Sequence, residues 1–270
     1  IHLLQNPSVV NGVASGCLAR GHTEGVYPDL PAGTYWVVAD TWVSSTGTEY
    51  AGSYRLAFEW IPEDEWVEVP VRDGVTWERY RATNYYGDQM LNVLKVDLGY
   101  GYDLQPHDHP GCSDVADQHD GLGAFAAVNG GFFASCAPTD LLRADDVTYS
   151  TSTTTGYEQR AVGWDASASS LTFEWIATAT DWTTYSNAMA GYPSLVTAGV
   201  AAAEALPNTQ VWSSTDWSQH PRTALGYSGS ELILMTADGR TSQGDGFTTP
   251  ELADAMVMVG AEEAINLDGG

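Results

Sequence analysis

The sequence predicts an α+β protein rich in mixed β-sheet, with a small β-sandwich segment at residues 1–62 ahead of a larger domain. Three observations lead there. Short aromatic and β-branched runs of strand length recur along the 270 residues, several alternating apolar and polar side chains in the period-2 manner of a half-buried strand. Turn residues separate them at short intervals. A capped helix signature stands out only near the end, at Thr249-Pro250-Glu251.

The elements follow in chain order. Gly33–Asp40 is strand-like and is entered through Leu30-Pro31-Ala32-Gly33, a turn signal. Gly52–Trp60 alternates as a strand with one wet face. Pro62-Glu63-Asp64-Glu65, with Pro70 after it, marks residues 63–70 as a linker, so the second domain is expected over 71–270. There Gly74–Trp77 and Leu91–Leu98 read as strands, and 101–121 as a His/Asp-rich loop. Ala124–Val128 is a compact apolar run that reads as a buried strand, and Leu171–Trp175 is another strand. The last helix covers Leu252–Val259 and closes at Gly260, followed by a short strand, Ala264–Leu267.

Composition excludes some partners. Acidic residues outnumber basic ones by 35 to 10, for a formal charge of −25, a field that repels nucleic acid and anionic membranes alike. No apolar run reaches the roughly 18 residues that a membrane-spanning helix needs. Hydrophobic content of 43% is enough for a real core and rules out wholesale disorder. Cys17, Cys112 and Cys136 are the cysteines. Cys112 and Cys136 bracket a loop-rich stretch and can form one bridge, leaving Cys17 odd; three buried thiols are the alternative.

The stretch from His107-Asp108-His109 through Asp114, Asp117, His119 and Asp120 has metal-ligating residue types. Its spacing fits no closed zinc site or EF-hand, so a solvated acidic loop is expected, with calcium the metal its oxygens would favour. No cofactor is expected otherwise.

Two resemblances add to this reading. "LPAGTYWVVADTW" (30–42) followed by "GSYRLAFEW" (52–60) is similar to the later strands of bacterial pre-peptidase C-terminal-type β-sandwiches. Such sandwiches are longer, which implies that the given chain begins mid-domain. The second resemblance rests on five segments in order: "AAVNGGFF" (126–133), "GYPSLVTAG" (191–199), "HPRTALGYS" (220–228), "DGR" (238–240) and "GFTTPELADAMVMVGAEEAINLDGG" (246–270). Together they resemble the phosphodiester glycosidase family, which includes the mannose-6-phosphate uncovering enzyme and bacterial exopolysaccharide-associated relatives. The family usually continues past its Asp-Gly-Gly, so further chain segments are expected to complete both ends.

The resemblance implies hydrolysis of a sugar 1-phosphodiester to free sugar and a phosphomonoester, on secreted or cell-surface glycan. The residue types suit it. Cleaving C1–O develops oxocarbenium charge, which a carboxylate stabilises or attacks; Asp268 is the first choice. The leaving phosphate needs a cation more than an acid, and Arg222 offers a planar fork for its oxygens. Asn129 with the amides of Gly130 and Gly131 can hold sugar hydroxyls or phosphate oxygens. Thr223, Gly269, His220 and Arg240 complete the expected binding set. Glu251 reads as a helix cap and Asp238 as a turn residue. The competing reading is a non-catalytic glycan-binding surface module, with Trp212, Trp217 and Tyr227 stacking on sugars; a zinc hydrolase built on the His/Asp loop is a third.

Overall fold

A computed structural model of the chain describes residues 2–6, 8–10, 13–14, 16–20, 33–38, 62–83, 89–107, 111, 113, 115–151, 159–176, 181–201, 218–241 and 244–269. The chain divides into two compact units, Ile1–Trp60 and Ile61–Gly270.

In the first unit the described strands are β1 (His2–Gln5), β2 (Val9–Val10), β3 (Val13–Ala14), β4 (Cys17–Arg20) and β5 (Tyr35–Val38). They form one antiparallel sheet of order β4-β1-β5 and a separate β2-β3 pair. Leu3 and Leu4 are buried, and β5 alternates half-buried Tyr35 and Val37 with exposed Trp36 and Val38. The expected strand Gly52–Trp60 lies outside the described residues.

The second unit contains β6 (Trp66–Arg72), β7 (Val75–Ala82), β8 (Gln89–Asp97), α1 (Val115–Leu122), β9 (Phe133–Ala134), β10 (Ala137–Pro138), β11 (Leu142–Ala144) and β12 (Val147–Ser150). It continues through β13 (Arg160–Trp164), β14 (Thr172–Trp175), β15 (Asn187–Gly191), β16 (Ser194–Thr197), β17 (Val200–Ala201), β18 (Arg222–Ser228), β19 (Glu231–Ala237), α2 (Thr249–Met258) and β20 (Glu263–Leu267). An eight-stranded sheet runs β17-β16-β20-β18-β19-β8-β7-β6, and a five-stranded sheet runs β12-β11-β15-β13-β14.

The layers follow from side-chain alternation. On one face of the large sheet, Leu91, Val93, Ile233 and Met235 pack against Leu252 and Met256 of α2. On the other face, Val96, Leu225, Leu234 and Ile265 meet Val162, Trp164 and Met189 of the smaller sheet. Both faces of β19 are therefore dry, which is why Leu232–Met235 is an unbroken apolar run. Helix α2 begins at Thr249, so the capping residue is Thr248, one position before the Thr249 expected from sequence. Thr248 accepts from the Glu251 N–H while the Glu251 carboxylate accepts from the Thr248 N–H, a complete capping box with Pro at the first turn.

Four expectations are corrected. Every paired ladder of the two sheets is antiparallel, so the large sheet is not mixed. Residues 63–70 are not a linker, because Trp66–Arg72 pairs with β7 as the edge strand. Pro70 is tolerated there because an edge position can spare the missing N–H. Residues 115–122 are helical, with Val115, Gln118 and His119 half-buried at helical spacing. Residues 124–132 form no strand; Phe125 and Val128 instead pack into the core between the sheets as irregular chain.

Ile265 is fully buried between the sheets, so Ile265→Ala should lower the unfolding free energy by about 2–5 kcal/mol in chemical denaturation. Thr248→Ala, which removes only the cap, should cost about 1 kcal/mol.

Candidate functional site

The start of β18 and the ends of β19 and β20 meet at one end of the large sheet. The register pairs Thr223 with Leu267 on one side and Arg222 with Ala237 on the other. Carried one step further, the β18–β20 count sets Asp268 opposite Arg222 and Gly269 opposite Pro221. The backbones are in close contact there: a Cβ at position 269 would overlap the Pro221 carbonyl oxygen. Only glycine allows that approach.

Two further segments are sewn to the same end. His220 and Phe247 exchange backbone hydrogen bonds at 3.2 and 2.9 Å. Buried Gln89 donates to the Gly246 carbonyl at 3.0 Å and accepts from its N–H at 3.1 Å. Gly246 takes φ +102° in that turn, with no room for a Cβ beside His220. On the other side the Asp268 N–H donates to the Gly130 carbonyl at 3.0 Å, which fixes the Asn129-Gly130 segment over the strand ends.

Between these segments lies a cavity of about 450 Å³. Asn129, Arg222, Thr223, Thr236, Asp238 and Gly269 line it, and Val115 of α1 contributes to its wall. The arrangement offers an amide, threonine hydroxyls and a carboxylate, groups that suit the hydroxyls of a sugar.

Arg222 is buried, and its guanidinium is held by the backbone. Nε donates to the Phe247 carbonyl at 2.9 Å and Nη2 to the Ser218 carbonyl at 2.9 Å. Nε and one N–H of Nη2, the donors of the side-on fork, are thus used to anchor the chain on either side. Arg240 Nη2 lies 2.8 Å from His220 Nδ1. Because Arg only donates, Nδ1 accepts, and a neutral His220 ring carries its proton on Nε2. Burial first, then the positive charges of Arg222 and Arg240, hold the His220 pKa below its usual value. Arg222, Arg240 and His220 thus gather at one corner of a molecule whose formal charge is −25.

Of the residues expected from sequence, Asn129, Arg222, Thr223 and Gly269 line the cavity together. Asp268 adjoins it through Gly269. Gly130 presents its carbonyl to the Asp268 N–H, and Gly131 packs close to the Ala190 carbonyl. His220 and Arg240 pair with each other beside the cavity rather than forming its lining. Thr236 and Asp238 were missed. Their signal is the alternation of β19 continued past its apolar run. Tyr227 packs against the core between the sheets, so it is not an exposed sugar platform; Trp212 and Trp217 lie outside the described residues. Residues 108–110, 112 and 114 of the His/Asp stretch also lie outside them. Among the described residues no group of three or more His, Cys, Asp or Glu can hold a metal ion. Cys136 is disulfide-bonded, while Cys112 lies outside the described residues.

Residues 122–270, more than half of the chain, match the phosphodiester glycosidase family. The chain belongs to that family. All five resembling segments fall wholly within this span, and the cavity of this phosphodiester glycosidase family member is built largely from them. A search of curated proteins finds no match. Among solved structures, a hypothetical protein from Synechocystis superposes with a TM-score of 0.59 at 13% identity, covering 76% of this chain and 58% of that one. The chain thus spans little more than half the length of that relative. The catalytic domain of zebrafish N-acetylglucosamine-1-phosphodiester alpha-N-acetylglucosaminidase, auto-inhibited by pro-peptide, superposes with a TM-score of 0.53 at 18% identity, covering 76% and 69%. At such identities the two structures share the fold.

The cationic neighbours of His220 can be tested by proton NMR. His220 should titrate below the ordinary value of about 6.5, and Arg240→Ala should raise its pKa. A lowered folded pKa favours the folded state fully above the unfolded value; that contribution is lost as pH falls from there through the folded pKa.

Proposed function

We propose that the chain hydrolyses a sugar 1-phosphodiester of the N-acetylglucosamine type, releasing free sugar and leaving a phosphomonoester, on extracellular glycan. The observation that carries this reading is convergence. Segments spread over 140 residues of sequence, Asn129, Arg222-Thr223 and Gly269, line one polar cavity, with the paired Arg240 and His220 beside it. The zebrafish relative acts on an N-acetylglucosamine-1-phosphodiester, and the family supplies the reaction class.

In this reading Asn129 and Thr223 orient the sugar. The charges of Arg222, Arg240 and the donor Nε2 of His220 favour the phosphate as it leaves with its second negative charge. Because Arg222 Nε and Nη2 are engaged by carbonyls, its contribution is positive potential at the rim and a fixed strand entrance. Asp268, opposite Arg222 when the β18–β20 register is carried one residue on, adds negative charge beside the cavity, which favours positive charge developing on the sugar ring. The disulfide at Cys136 supports an extracytoplasmic location, and the described helices include none long and apolar enough to cross a membrane.

The direct test is incubation of the purified chain with a synthetic N-acetylglucosamine-1-phosphodiester. Free sugar and phosphomonoester should appear in equal amounts, and Asp268→Asn should reduce kcat/KM by about 100-fold. Binding of the glycan without release of sugar would favour a binding module instead.

A further inference from the structure

The direction of each side chain at the strand ends separates the two carboxylates near the cavity. In β19, Leu232 and Leu234 face the core between the sheets, while Ile233, Met235 and Ala237 face α2. Thr236 continues the first set. The pairing of Ala237 with Leu91 extends one residue beyond the strand, where the Asp238 N–H donates to the Met90 carbonyl at 3.0 Å. Alternation therefore still holds at 238 and puts Asp238 on the Thr236 face. Thr223, the cross-strand partner of Thr236, shares that face. All three line the cavity, as do Arg222 and Ala237 of the α2-facing set. Arg222, one residue before Thr223, turns to the α2 side and bonds the Phe247 carbonyl. Asp268, opposite Arg222 in the register, is not among the lining residues.

We infer that Asp238 is the carboxylate that faces the anomeric carbon and serves as the general base. This rests on the phosphodiester glycosidase reading above. The Asp238 carboxylate accepts a proton from a water molecule whose oxygen forms a bond to C1. The C1–O bond to phosphate breaks, and its electron pair leaves on the phosphate oxygen. The products are free sugar, the phosphomonoester and a protonated Asp238, which returns its proton to solvent. A phosphomonoester leaves readily without protonation, so the step needs a base at C1 more than an acid at the leaving oxygen. Thr223 and Thr236 flank the carboxylate with hydroxyls that can bind the sugar beside it. The role separates from that of Asp268: one carboxylate removes a proton, and the other only balances charge.

The test uses the full chain and a synthetic N-acetylglucosamine-1-phosphodiester. Asp238→Asn should lower kcat by about 100-fold or more with KM changed by less than about threefold. The acid limb of the wild-type pH–kcat profile should vanish in that variant. Azide, a nucleophile that needs no deprotonation, should restore cleavage and yield the sugar azide. A kcat within about threefold of wild type overturns the assignment, as does lost activity that azide leaves unchanged. Asp238→Glu keeps the charge but moves the oxygens by one methylene, and serves if the Asn variant folds poorly. Its kcat should fall at least about tenfold, and an undiminished kcat overturns the assignment. A wild-type chain that releases no sugar refutes the glycosidase reading itself and the base with it, whereas turnover that survives in Asp238→Asn refutes the base alone.

Discussion

The register between β18 and β20 is the constraint on which the site depends. It brings Arg222 and Thr223 beside the Leu267–Gly269 exit, and it succeeds only because the backbones touch at Gly269. Any Cβ there would push the Pro221 carbonyl away and open the strand ends. Gly246 plays the same part on the other flank, where Gln89 holds the turn beside His220 through both the N–H and the carbonyl of Gly246. Gly239, Gly246 and Gly269 are therefore packing requirements first. Their contribution to a ligand site is the volume that this close packing leaves beside the Asn129 segment.

Much of this was legible in the sequence, for identifiable reasons. The cap of α2 is local chemistry among Thr248, Pro250 and Glu251, so four residues suffice to read it. Strand β8 announced itself through apolar residues on both faces. The cavity residues Asn129, Arg222, Thr223 and Gly269 came from a family pattern rather than from periodicity. What failed depended on pairing partners or core cover outside the segment being read. Pro62 and Pro70 looked like linker punctuation, because only the neighbouring β7 reveals an edge strand. The apolar run 124–128 reads equally as strand or as loop when a core covers it, and here the core covers a loop. Antiparallel and mixed sheets differ in connection, which no single segment displays.

The side on which a strand residue points belongs to the same class. Arg222 and Thr223 are adjacent in sequence and both were expected at the substrate, yet a strand cannot present neighbours to one face. Pairing with β19 and β20 turns Thr223 toward the smaller sheet and Arg222 toward α2, and both still line the cavity, from opposite faces of the strand. The same rule promotes Asp238 from a turn residue to a wall residue. Reading "DGR" as an isolated turn ignored the four apolar residues of β19 whose alternation it continues.

The electrostatics then acquire a clear spatial order. With 35 acidic residues against 10 basic ones, an anionic substrate meets net repulsion at long range, although salt screens this beyond roughly 8–10 Å. Attraction must therefore be local. Arg240 lies 2.8 Å from His220, and with burial the charges of Arg222 and Arg240 disfavour protonation of its ring. Burying Arg222 reduces solvent screening of its charge, while the Phe247 and Ser218 carbonyls keep its guanidinium in place. A cation fixed behind the strand ends acts through distance and preorganisation rather than by direct grip. Arg222 lines the cavity together with hydroxyls and a carboxylate, so positive potential for a leaving phosphate and a base for incoming water border one cavity from the two faces of the sheet.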